Sequence, residues 1–122
     1  MDATALVREL YEAYQRRDWN VAAELLRPEA TLDMPGTRER LNGREEVIDF
    51  QRDYPEPWGD LTVLRVLGGA DEACAEVEIV GPEHTFRLAA FWRLEGELLG
   101  EGTEYWVTVG GEQPPPGRAT AY

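Results

Sequence analysis

Glu104 lies in the run Gly102-Thr103-Glu104-Tyr105-Trp106. On a strand it shares a face with Gly102 and Trp106, opposite Thr103, Tyr105 and Val107. The run before it places Phe86, Leu88, Ala90 and Trp92 on one face, with Arg87, Ala89, Phe91 and Arg93 on the other. A carboxylate in phase with tryptophans points toward the apolar side of its sheet. Burial without a partner is costly, so such a group either gains proton affinity or needs a donor. A carboxyl with raised proton affinity suits general acid/base chemistry near neutrality. The structural alternative is a bulge that turns Glu104 outward, or an ion pair with Arg93.

The other candidates are walls rather than reacting groups. Trp92 and Trp106 can stack on a flat ligand, with Leu32, Met34, Leu88 and Ala90 completing the same wall, or they can simply fill the interior. Tyr14 can extend its hydroxyl toward a pocket or pack as core. Trp58, in Pro55-Glu56-Pro57-Trp58-Gly59, can act as a lid or cover apolar surface. His84 is the only histidine and stands beside the Gly81-Pro82 turn, where a solvated side chain is expected. Asp33 and Asp53 have no metal-ligand spacing, Cys74 is the only cysteine, and the residues imply no metal and no cofactor.

These residues need elements to hold them. A helical stripe over Thr4 to Arg17 includes Leu6, Val7, Leu10, Tyr11 and Tyr14, with Asp2 or Thr4 as its cap. Asp18 caps a shorter helix that Pro28 ends, and Ala30 to Met34 is a short strand stopped by Pro35-Gly36. A polar loop follows, and Asn42 with Glu45 forms a capping box for a helix over Gly43 to Asp53. From there the apolar period switches to two. Leu61 to Leu67, Glu72 to Val80, and a hairpin across Thr85 to Val109 turning at Glu95-Gly96 are strands. Gly100 and Gly102 interrupt the last strand and would permit a bend that curls the sheet.

A chain of 122 residues fits one domain, here 1–110, followed by a Pro-rich tail over 111–122. The net charge of -12 gives phosphates nothing to bind, so nucleic acid is not an expected partner. With no long apolar span and no leader pattern, a cytoplasmic protein without a membrane partner is expected.

The element order, Arg16-Arg17-Asp18-Trp19, Pro28 through Asp33, Gly43 through Phe50, and Glu104-Tyr105-Trp106 together resemble the nuclear transport factor 2-like superfamily, nearest its SnoaL-like, polyketide cyclase-like branch. The resemblance implies an α+β cone: three N-terminal helices packed on a strongly curved antiparallel sheet, a pocket between them, and a homodimer through the exposed sheet face, where Phe91 and Tyr105 lie. Steroid isomerases of this fold place their proton-handling groups at positions matching Leu10, Met34 and Ala90, so that activity is not expected. The Arg and Asp of limonene-epoxide-hydrolase-like enzymes fall near Leu88 and Ala90, whereas their remaining aspartate falls on Glu104. The resemblance thus implies an isomerase, cyclase or lyase using Glu104 on a hydrophobic carbonyl compound. Its rival is a non-catalytic small-molecule-binding or dimeric interaction domain.

Overall fold

Aspartates start the first two helices. In the computed structural model, which describes residues 1–55, 58–118 and 122, Asp2 accepts from the Ala5 N–H at 3.0 Å and opens α1 (Ala3–Arg16). Asp18 accepts from the Val21 N–H at 3.2 Å and opens α2 (Trp19–Glu24). Arg17 joins them in the left-handed region, at φ 60°. Its guanidinium donates to the Gly59 carbonyl at 2.6 Å and lies 3.7 Å over the Trp58 ring, which ties the corner to the start of the sheet.

Pro28 does not act as a helix stop. It lies inside β1 (Leu26–Met34), where the ladder to its neighbour shifts register between Leu26 and Thr31. A residue without an N–H is tolerated where a ladder is interrupted. The expected polar loop is also a strand, β2 (Glu39–Asn42), paired antiparallel with β1 from Met34↔Glu39 to Thr31↔Asn42. As an edge strand exposed along most of its length, it carries no apolar alternation to betray it. Next comes α3 (Arg44–Arg52), capped at Gly43 without a side-chain bond, while Glu46, not Glu45, accepts from the Asn42 N–H at 2.9 Å.

Four long strands complete the chain: β3 (Asp60–Gly68), β4 (Glu72–Val80), β5 (Thr85–Glu95) and β6 (Leu98–Thr108). The sheet order is β2-β1-β6-β5-β4-β3. α1 packs chiefly on β3 and β4 and reaches β5 and β6, whereas α3 covers β1. On β4 the alternation is clean, with Ala75, Val77 and Ile79 buried and Glu76 and Glu78 on the other face.

The expected strongly curved, all-antiparallel cone is not formed. The six-stranded sheet is mixed, because β1 runs parallel to β6, and it is open, with β2 and β3 as edges. The third helix follows the first strand, as the element order in the sequence implies. The glycines of β6 serve close packing rather than closure. A Cβ at Gly102 would sit 2.6 Å from the Trp92 ring, and one at Gly100 would sit 2.5 Å from the Glu95 side chain. The tail beyond Gly110 is exposed as far as it is described, with neither helix nor strand.

Gly102→Val should therefore cost about 1–3 kcal/mol, the usual range for overpacking a tight contact. Gly36→Ala, whose added methyl meets nothing within 4 Å, should stay within about 0.5 kcal/mol of wild type. Paired urea melts followed by tryptophan fluorescence check both.

Candidate functional site

Among the described residues Glu104 is the one buried carboxylate, at 1% exposure. Its partner in register is Ala90 of β5, and its neighbours on the same face are Gly102 and Trp106. Oε2 accepts from the Tyr11 hydroxyl at 2.6 Å, and Oε1 accepts from Trp106 Nε1 at 3.0 Å. The Tyr11 hydroxyl accepts in turn from Trp92 Nε1 at 2.9 Å. The result is a buried chain from Trp92 through Tyr11 to Glu104, closed on the far side by Trp106.

Every donor in this chain is neutral. Burial pushes the Glu104 carboxyl above its ordinary value of 4.5, and the bonds from Tyr11 and Trp106 pull against that rise. Burial first, and then the nearby carboxylate, hold the Tyr11 and Tyr14 phenols well above 10. Both phenols stay protonated, and Tyr11 is a fixed donor. Arg93, one alternative partner for Glu104, is elsewhere, bonding Glu72 at 2.8 Å and Glu101 at 3.2 Å.

Glu104 also forms part of the wall of a pocket of about 290 Å³. Met34 at the end of β1, Glu39 on β2 and the far end of β6 surround it, together with Phe50 and Tyr54 from α3 and the segment after it. The aromatic lining is two edge-to-face pairs, Phe86–Trp106 with centroids 6.0 Å apart and Phe50–Tyr54 at 5.9 Å. The wall carries hydroxyls from Thr37, Tyr54 and Thr108, that of Thr37 donating to the Glu39 carboxylate at 2.5 Å. A larger concavity of about 910 Å³ borders Leu67, Cys74, Phe91 and Thr103 on the opposite sheet face and does not include Glu104.

Of the residues named from sequence as lining, Met34 and Trp106 join Glu104 on this pocket. Leu32, Leu88, Ala90 and Trp92 are buried core behind it, and Tyr14 packs against Tyr11 and Trp19. Trp58 is not among the residues lining this pocket: it is covered by Arg17 and donates to the Gln51 carbonyl at 3.0 Å. Sequence reasoning overlooked Tyr11 as a partner, although it stands beside Leu10 on the buried stripe. It also overlooked Phe86 as a pocket wall, despite its having the same strand phase as Trp92. Glu39 carried no signal, because β2 has no apolar alternation, while Phe50 and Tyr54 show from sequence only as the apolar side of the third helix. Among the described residues no group of three or more His, Cys, Asp or Glu side chains could hold a metal ion, and no helix is long and apolar enough to cross a membrane.

The sequence profile of the SnoaL-like domain family matches residues 7–102. The chain belongs to that family. Glu104 lies just past the matched span of the SnoaL-like domain. No functionally curated protein matches the chain. Among solved structures, a Kribbella flavida protein with a provisional ketosteroid isomerase designation is 28% identical, covers 97% of this chain and 90% of its own, and superposes with a TM-score of 0.85. A Catenulispora acidiphila protein of ketosteroid isomerase-like fold, crystallised with trimethylamine, is 16% identical over 84% of this chain and 85% of its own, at a TM-score of 0.69. A limonene-epoxide-hydrolase-like enzyme of Mycobacterium tuberculosis is 12% identical over 85% of this chain and 81% of its own, at 0.70. The last two likenesses are likenesses of fold.

The electrostatics of the SnoaL-like site give a signed expectation. The folded Glu104 carboxyl holds its proton more tightly than the unfolded one, so its contribution to stability is complete below 4.5 and is lost as pH rises through the raised value. Glu104→Gln lacks that titration. The stability of Glu104→Gln relative to wild type should rise across that window, in denaturant melts run at a series of pH values. A flat difference would mean that burial does not perturb the carboxyl.

Proposed function

We propose that this SnoaL-like domain is a proton-transfer enzyme of the isomerase, cyclase or lyase type, acting on a hydrophobic, carbonyl-bearing small molecule. The observation that carries the reading is a buried carboxyl, held by two neutral donors, on the wall of an apolar pocket. As carboxylate, Glu104 takes a proton from the carbon beside the carbonyl, and the C–H electron pair moves into the enolate. The neutral acid then returns that proton, to the same carbon or to another. Alternatively, the enolate carbon attacks a second electrophilic centre in the molecule, and the proton goes to the oxygen formed there. Tyr11 and Trp106 keep the carboxyl oriented through both halves, which is the positional part of such catalysis. Tyr54 and Thr108 supply the hydroxyls on the wall that can donate to the enolate oxygen, the Thr37 hydroxyl being donated to Glu39. The provisional designation of the Kribbella flavida protein favours chemistry of this type.

A panel of small cyclic ketones in deuterated water tests this directly. Wild type should catalyse deuterium uptake beside the carbonyl, and Glu104→Gln should lower the rate by about 10²–10⁴-fold with ligand binding retained. The second reading, a binding domain without chemistry, is favoured by one observation: both Glu104 oxygens already accept bonds from the protein. Binding without any exchange would select it.

The same proposal includes a homodimer through the outer sheet face. Leu67, Phe91, Tyr105 and Val107 are exposed there at 49–60%, with Phe91 and Tyr105 edge to face at 6.0 Å. Ion pairs Arg87–Glu78 and Arg65–Glu76 accompany them, a mixture of both signs that a two-fold axis can match to itself. Sedimentation should show a dimer for wild type and a monomer for the double variant Phe91→Glu, Tyr105→Glu. An unchanged sedimentation coefficient would exclude this face.

A further inference from the structure

Deepening the reading of the Glu104 pocket as a site for a small carbonyl compound, we infer that its occupant carries a compact alkylammonium group. The charge of the wall comes first. Glu39 and Glu104 contribute carboxyls, and no Lys, Arg or His side chain lines the pocket. The basic groups nearby are outside it: Arg40 is bound to Asp33 at 2.6 and 2.9 Å, Arg38 is exposed on the turn before β2, and His84 packs against Phe86. An anionic ligand would meet two acids with no counter-charge.

The aromatic wall decides between a neutral and a cationic ligand. Two edge-to-face pairs, Phe86–Trp106 and Phe50–Tyr54, border the same space as those acids. Aromatic faces attract alkylammonium groups, whose diffuse charge is cheaply dehydrated and whose methyl groups bury like hydrocarbon. An apolar pocket meant only for neutral ligands gains nothing from the acids. A site for a bare metal cation gains nothing from the rings. A methylated ammonium uses both. At about 290 Å³ the space suits a small molecule, and the net charge of -12 draws cations toward the protein.

Calorimetric titration of the full chain with three ligands of like shape is the test: choline, its uncharged analogue 3,3-dimethylbutan-1-ol, and the pivalate anion. Choline should bind at least about tenfold more tightly than the alcohol, and pivalate should not bind. Glu39→Gln, an exposed change that spares the fold, should weaken choline several-fold and leave the alcohol unaffected. Phe86→Leu should weaken choline too, with its folding checked by circular dichroism. Equal or tighter binding of the alcohol, any binding of pivalate, no binding of choline at millimolar concentration, or choline affinity indifferent to both substitutions would each overturn the inference. Deuterium exchange is scored separately. Exchange by a pocket that prefers the alcohol defeats this inference alone, whereas choline selectivity without exchange upholds it and removes the chemistry.

Discussion

A carboxyl at 1% exposure has to be satisfied, and the rest of the inner sheet face is arranged around that need. Left alone in apolar surroundings, it would cost several kcal/mol in either of its forms. Tyr11 from the first helix and Trp106 from its own strand remove most of that cost, one for each oxygen. Tyr11 can serve only because Trp92 fixes its hydroxyl from behind. Trp92 can lie there only because the residue facing it in register is a glycine, against which the indole packs too closely for any side chain. The small Ala90 opposite Glu104 belongs to the same economy of space.

That chain of dependence also explains where the pocket lies. α1 sits over β3 and β4 and presents Tyr11 to the middle of the sheet, while α3 sits over β1. The pocket lies at the start of β5 and the end of β6, rimmed by the β1–β2 hairpin and by Phe50 and Tyr54 at the end of α3. Glu104 lies at the boundary between packed interior and pocket. It is consequently a buried structural acceptor that also forms part of the pocket wall.

Much of this was readable from residue patterns, and the failures have common causes. Strand alternation fixed the inward phase of Glu104, and aspartates at Asp2 and Asp18 marked two helix starts correctly, because both are properties of one strand or one turn. The parallel pairing of β1 with β6 left no trace, since strand patterns record faces and not direction. β2 was invisible because an exposed edge strand has no buried side to alternate. Gly100 and Gly102 were read as a hinge for curvature, whereas absence of a side chain serves close packing equally well. Most of the pocket wall went unseen, because residues that packing brings together from β1, β2, α3, β5 and β6 share no spacing in the chain.

The choice of neutral donors matters more than their number. An arginine beside Glu104 would satisfy the carboxyl as fully, but it would cancel the charge and hold the group ionised well below neutrality. A phenol and two indoles do otherwise. Tyr11 stays protonated under the influence of burial and the adjacent carboxylate, and the indoles do not titrate in this range. The proton on Glu104 is then the one in the cluster that titrates most readily, and when it leaves, the negative charge is held by the neutral donors Tyr11 and Trp106. Burial favours the acid while Tyr11 and Trp106 favour the carboxylate, so the two forms lie closer in energy than either influence alone would allow. What enters the pocket can tip that balance: a carbonyl compound by exchanging a proton with the group, a cation by supplying the missing positive charge.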